Sequence, residues 1–338
     1  MKAIKDTELI ITKDKKIYHL NIDKYEIEND IILVGDQMQL PPYIDGSLLD
    51  PNEKSSFPNS KFGGKFLDTD IQHALRTSFF EFLVNRISSG HFPDSNIEML
   101  NYQHRMHPDI GQFISDAFYG GQVKMGEKTV ENVLPLPSPF DKQVVFLDTS
   151  TAENPFEIKE GISVKNDTEA QCISQLVVPH LLKAGLSSKD FAIVAPYKSQ
   201  VANIKRHLLA VDSGINNQID VSTLDSFQGM EFDVIVFSFT RSARSSKVGF
   251  LDDARRLNVA FSRAKKKLIL IGNSDTLTDK RSHYDQLFNY TGLFNKLVNL
   301  SKDEKLGNFV NVTDFTDLKS RFQSQIENLA IGTKYACK

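Results

Sequence analysis

A chain of 338 residues with 40% apolar and 25% charged content has the make-up of an ordinary globular protein, long enough for one large domain or two modest ones. Its formal net charge is −3, so no global field announces a polyanion partner, and any nucleic-acid surface must be local. The only cysteines, Cys172 and Cys337, argue against a disulfide framework and a cysteine metal site; a charged amino terminus and no bilayer-length apolar run predict a cytoplasmic protein without a membrane partner.

Residues 1–30 are charged, lysine-rich and weakly patterned. Ile31–Gly35 is the first short apolar run, followed by Val144–Leu147, Phe191–Ala195, Ile219–Ser222, Val234–Ser238 and Leu268–Ile271. Their near-continuous Val, Ile, Leu and Phe content suits strands buried on both faces. Alternation with helix-like stretches predicts an α/β fold built on a parallel sheet. Residues 43–97 hold a Pro/Gly/Ser-rich insertion and then a helix around Ser78–Ile87. Pro108 opens a helix whose buried stripe is Ile110, Phe113, Ile114, Ala117 and Phe118. Thr168 with Gln171 reads as a capping box, and Gly185 closes that helix after a kink at Pro179. Leu257, Ala260, Phe261 and Ala264 give the last core helix its apolar stripe. The main domain is placed at 98–275, with 31–42 as a strand and loop leading towards it and 276–338 as a polar, partly helical tail.

Five segments carry chemistry. Gly35-Asp36-Gln37-Met38-Gln39-Leu40-Pro41-Pro42 leaves a strand at its carboxyl end, where open α/β sheets bind ligands, and Gln39 has the reach for a terminal phosphate or its attacking water. Arg105, in Asn101-Tyr102-Gln103-His104-Arg105-Met106-His107-Pro108, sits ahead of a helix N-terminus, and both features favour anions. His104 and His107 lack a third ligand at workable spacing, so no metal is expected. In Ala195-Pro196-Tyr197-Lys198-Ser199-Gln200, Tyr197 is suited to stack on a base and Lys198 to hold a phosphate.

The fourth segment, Ser222-Thr223-Leu224-Asp225-Ser226-Phe227-Gln228-Gly229-Met230-Glu231-Phe232-Asp233, brackets one glycine with polar groups. Gly229 is expected to allow close backbone approach, with Gln228 and Glu231 suited to ribose hydroxyls. The fifth runs from Arg255 through Arg256 to Arg263 and the lysines 265–267. Seven residues apart, Arg256 and Arg263 are expected on one helix face, roughly 10 Å apart along the axis. The small neighbours of Arg263 leave its guanidinium room to cross an interface, while the lysine run reads as a solvated face.

Taken singly each segment is modest; their order and spacing together resemble superfamily 1B helicases of the nonsense-mediated-decay helicase and senataxin group, from Ile31 to about Asn273. The resemblance implies a C-terminal RecA-like (AAA) lobe and ATP with Mg²⁺ as cofactor, engaged only with a complementary phosphate-loop lobe. It implies that Gln39 senses the γ-phosphate, with Gly35 and Asp36 in its loop. Arg105 and Arg263 are then arginine fingers, of a kind worth about 10³–10⁵ in rate in related nucleotidases. Glu231 holds the ribose, and His104, Gln228, Gly229 and Arg256 complete the nucleotide set. Tyr197, Lys198, Gln200 and Thr223 form the groove for single-stranded RNA or DNA. Position 104 is usually tyrosine in that family, and His104 offers less stacking area; Ala195 replaces a threonine ahead of Pro196. No G-x-x-x-x-G-K-[ST] pattern occurs in the 338 residues, and no Asp-Glu pair follows an apolar strand upstream of Ile31. The lysine that cradles β/γ-phosphates and the carboxylate that holds Mg²⁺ are thus missing from these residues. A rival of a different class is a non-catalytic binding module from a truncated or split gene. A nuclease or other hydrolase ranks below both, for want of a carboxylate cluster.

Overall fold

Alternating apolar runs and helices become a layered α/β structure in a computed structural model that describes residues 8–13, 16–21, 34–39, 78–90, 97–211, 219–227, 229–242, 251, 254–279, 290–313 and 320. An antiparallel hairpin, β1 (Glu8–Lys13) and β2 (Lys16–Asn21), comes first, where only weak patterning was expected. Next is α1 (Phe79–Ser88), capped by the Ser78 hydroxyl, which accepts from the Glu81 amide at 3.0 Å. Strand β3 (Tyr102–Gln103), α2 (Pro108–Phe118) and β4 (Lys124–Met125) follow, with Pro108 at the first helical position as predicted. Then come β5 (Val144–Asp148), the small hairpin β6 (Ile158–Glu160) and β7 (Ser163–Lys165), and α3 (Asp167–Gln171), which continues through a π-helical stretch, Cys172–Val177, into α4 (Val178–Lys183). The rest are β8 (Phe191–Ala195), α5 (Lys198–Val211), β9 (Asp220–Thr223), β10 (Phe232–Ser238), α6 (Ala254–Phe261), β11 (Ala264–Gly272), α7 (Ser274–Thr278), α8 (Tyr290–Lys302) and β12 (Gly307–Asn311).

Six strands form one sheet in the order β12-β5-β11-β10-β8-β9, and every pair in it is parallel. Because side chains alternate across a strand, the apolar runs split into two cores. Val144, Phe146, Ile235, Phe237, Leu268 and Leu270 meet α2, α6 and α8; Val145, Leu147, Val234, Val236, Ile269 and Ile271 meet the π-containing helix and α5. A parallel sheet covered on both faces agrees with the α/β fold expected from the sequence and is compatible with a RecA-like lobe. Among the described residues no helix is long and apolar enough to cross a membrane.

Five expectations need correction. The lobe does not end at 275: Phe294, Leu297 and Val298 of α8 are buried, and β12 pairs with β5, its Phe309 ring stacked 5.4 Å from Phe146. The Thr168/Gln171 box is not the cap. Asn166 accepts from the Glu169 amide at 3.0 Å, and Thr168 instead donates to the Asn154 carbonyl. Where a kink was expected at Pro179, the helix instead carries a π-helical stretch that ends at Val177, and Pro179 lies in the first turn of α4. Lys267 is no solvated charge, since it lies fully buried on β11 with its ammonium donating to the carbonyls of Phe140 (2.7 Å) and Lys142 (2.5 Å). Burial lowers its pKa to about 8. Of the predicted strand Ile31–Gly35, residues 31–33 lie outside the described set, and Val34 and Gly35 are not in a strand.

Candidate functional site

Two groups of the predicted residues gather at opposite edges of the sheet. At the amino-terminal edge, Glu231 immediately precedes β10 and Arg263 immediately precedes β11. Arg105 is brought beside them because the His107 amide donates to the Lys265 carbonyl at 2.7 Å. The backbone at Arg105 is clamped on both sides. Gln103 Oε1 accepts from the amides of Arg105 and Met106, and Asn132 Nδ2 donates to the Arg105 carbonyl at 2.7 Å. Such clamping fixes where the guanidinium starts from. Its Nε pairs with Glu231 Oε1 at 2.6 Å, and a terminal nitrogen donates to the Ser262 carbonyl at 3.1 Å. Lys265 Nζ takes the other Glu231 oxygen at 3.1 Å. Partial burial pushes the Glu231 carboxyl up, but Lys265 and Arg105 outweigh it, leaving the group below its usual range.

Arg263 is 7% exposed, and its buried Nε finds no hydrogen-bond partner among the described residues. Burial first, and the Arg105 charge second, pull its pKa down against the pull of Glu231; a guanidinium stays charged all the same. Three cations around one carboxylate, one of them desolvated and incompletely paired, make a place where an arriving anion gains several charge-assisted hydrogen bonds at once. Arg263 does not share a helix face with Arg256 as expected. Helix α6 stops at Phe261, and Arg263 lies in the turn into β11 while Arg256 stays half-buried on the helix. His104 is exposed, with its imidazole against Gly126. Gly229 is required by its φ of +88°; a Cβ there would meet nothing within 4 Å, so the close approach expected of it is absent. Gln228 lies outside the described residues, as do Leu40, Pro41 and Pro42.

The loop 34–39 is set by its own aspartate. Asp36 Oδ1 accepts from the Met38 amide (2.8 Å), while Oδ2 accepts from the exposed Gln39 side chain (3.0 Å) and the Tyr119 hydroxyl (2.7 Å). At Gly35 a Cβ would come within 2.9 Å of the Phe80 ring, so the residue is needed for close passage over α1. Gln39 is held by Asp36 and by neither arginine.

Tyr197, Lys198 and Thr223 sit at the carboxyl edge, where β8 and β9 end. Strands of this length separate them from the arginine group by roughly 20 Å. Lys198 is exposed, Tyr197 and Thr223 are half-buried, and the Arg241 guanidinium lies 6.0 Å from the Tyr197 ring centroid. Gln200 is not with them: it is fully buried, accepting from the Asn166 amide at 2.8 Å and donating to the Asn166 carbonyl and to Ser238. Its amide holds α5 to the start of α3 and has no group to offer a strand. Gln200→Ala is therefore expected to cost about 1–3 kcal/mol, read by urea unfolding, because buried partners lose their bonds. Arg241 was passed over in the sequence. It follows β10 and pairs with the buried Glu157 at 2.9 Å, and an arginine three residues past a predicted strand end was the only available signal.

A doubly covered parallel sheet with cationic groups at one edge and an aromatic–lysine pair at the other has the layout expected of a RecA-like lobe. Residues 75–275 match the family described as AAA domain. The chain belongs to that family, as the C-terminal lobe of a superfamily 1 helicase of the nonsense-mediated-decay helicase and senataxin-like group. It is 33% identical over 233 residues to Regulator of nonsense transcripts 1 homolog of Drosophila melanogaster, covering 63% of this chain and 19% of that one. It is 33% identical over 255 residues to Regulator of nonsense transcripts 1 of Dictyostelium discoideum, covering 73% and 17%. To DNA polymerase alpha-associated DNA helicase A of Schizosaccharomyces pombe it is 34% identical over 262 residues, covering 74% and 34%. The chain thus spans about a third or less of the length of these relatives.

Proposed function

We propose that this lobe supplies the trans-acting half of an ATP-driven motor on single-stranded RNA or DNA. The complementary phosphate-loop lobe holds the β/γ-phosphates, while Arg105 and Arg263 reach the γ-phosphate from the far side of the cleft and Gln39 senses it. Glu231 faces the ribose, with His104, Gly229 and Arg256 around the nucleoside. Tyr197, Lys198 and Thr223 contribute to the strand groove. Carrying this reading is Arg263, a desolvated guanidinium whose Nε has no hydrogen-bond partner among the described residues, beside a second arginine. Burying an incompletely paired cation costs stability, and a non-catalytic module would have no use for that cost. Positive charge prearranged where negative charge develops is the electrostatic mode of phosphoryl-transfer catalysis.

The chain's own residues do not suit Mg²⁺, because among the described residues no three His, Cys, Asp or Glu come together. In this reading the metal belongs to the complementary lobe. The test is phosphate release by the 338-residue chain alone and fused to a relative's phosphate-loop lobe, each with and without single-stranded nucleic acid. Turnover stimulated by nucleic acid is expected only from the fusion. Stimulated turnover by the chain alone would overturn the division of labour.

A further inference from the structure

The loop carrying Gln39, the helix that follows Arg105 and the helix that leads to Arg263 converge on two side chains not yet given a role. Tyr119 caps the carboxyl end of α2, and its hydroxyl donates to Asp36 Oδ2 at 2.7 Å. Asn258, fully buried on α6 and five residues before Arg263, donates through Nδ2 to the Tyr119 oxygen at 2.7 Å and to the Met38 carbonyl at 2.8 Å. The phenol thus donates to one neighbour and accepts from the other, which uses its only proton and one lone pair. These contacts span 83, 139 and 220 residues of sequence, so they are tertiary ties and not local turn chemistry. Burial, and then the hydrogen bond to Asp36, raise the Tyr119 pKa, so the hydroxyl keeps its proton as a donor at neutral pH.

We propose that Tyr119 and Asn258 are positioning residues that lock the Gly35–Gln39 loop onto α2 and α6, so that the γ-phosphate-sensing glutamine and the two arginines move as one body. Asp36 is the joint: one of its oxygens serves both Gln39 and Tyr119. Release of Tyr119 frees that joint without touching either arginine. The hydrogen-bonded tie stands by itself; its catalytic consequence rests on the reading of Gln39, Arg105 and Arg263 given above.

The test has two arms. In the 338-residue chain, Tyr119→Phe keeps the ring in the core and removes only the hydroxyl. Hydrogen exchange at the Met38 and Gln39 amides is expected to rise about fivefold to tenfold, as for loss of one net hydrogen bond. Amides of β10 and β11 should stay as slow as before. Asn258→Ala should release the same two amides, and its melting curve separates that effect from general loosening. Exchange at Met38 and Gln39 left unchanged by both variants would overturn the tie. In the fusion to a phosphate-loop lobe, Tyr119→Phe should lower kcat several-fold at unchanged KM, and this loss should disappear in a Gln39→Ala background. An equal loss in both backgrounds means that Tyr119 acts on turnover by another route, and overturns the positioning role. If Gln39→Ala itself leaves turnover unchanged, the reading of Gln39 as sensor fails, and the exchange arm alone decides the tie.

Discussion

Arg263→Ala in the fused two-lobe protein is expected to lower kcat by about 10³-fold or more, while ADP affinity stays within a factor of two or so. The guanidinium answers charge that spreads over the phosphoryl oxygens in the transition state, so its removal falls on catalysis and little on ground-state binding. Truncation of a side chain that is 7% exposed also removes packing, so a melting curve for the variant accompanies the kinetics and separates loss of fold from loss of turnover. Lysine at position 263 should rescue poorly, since an ammonium on a flexible stem does not reproduce the planar fork. The control is Lys266→Ala, three residues on, whose ammonium is already paired with Asp233 at 2.8 Å and about a third exposed. It should leave kcat unchanged. Kinetic equivalence of the two variants, measured by phosphate release under saturating ATP, would show that the turn before β11 bears ordinary surface charge.

The contrast between residues 263 and 267 shows how far the sequence could be read. Core strands such as Phe191–Ala195 were legible to the residue, because a strand buried on both faces needs an unbroken apolar run. Strand β12 was not, since Gly307-Asn308-Phe309-Val310-Asn311 is an edge strand whose polar residues half face water. The stretch from Arg255 to Lys267 looked like one basic helix. Nothing local marks the switch at Ser262–Arg263 from helix to strand, which depends on pairing of Phe232 with Ala264 across the sheet. That tertiary switch buries Lys267 and places Arg263 at the sheet edge. Polarity also misled at Gln200: a glutamine beside an aromatic–lysine pair looks like a binding residue, but its position on α5 points it inward at Asn166. The sequence motifs singled out Arg105, Glu231 and Arg263 as candidates; the pairing of Arg105 with Glu231 was not legible, because 126 residues separate them and only the fold brings them to 2.6 Å.

The largest stability effect is expected from a carboxyl that serves the carboxyl edge from below. Glu169 is fully buried on α3; its Oε2 accepts from the Ser238 hydroxyl at 2.6 Å and the Thr240 amide at 2.8 Å, while Oε1 has no partner among the described residues. Thr240 adopts a φ of 69°, unusual for a β-branched residue, and Arg241 beside Tyr197 follows directly. Burial is the main force on Glu169, and it outweighs the two hydrogen bonds to raise the pKa from 4.5 to about 8. Unfolded chain therefore releases this proton near pH 4.5, whereas the folded chain keeps it until about pH 8. The associated stability is fully present below pH 4.5, falls as pH rises between those values, and is lost above about pH 8. A shift of that size corresponds to about 5 kcal/mol at most, a large part of a domain's net stability. Glutamine at 169 retains an acceptor for Thr240 and Ser238 but cannot ionise. Urea unfolding at pH 5 should then find Glu169→Gln and the parent within about 1 kcal/mol of each other. At pH 9 the variant should be the more stable by a few kcal/mol, since the other titrating groups are common to both proteins and cancel in the difference. Two stability curves that stay parallel from pH 5 to pH 9 would mean that the Glu169 carboxyl is ionised throughout, with its charge compensated in place.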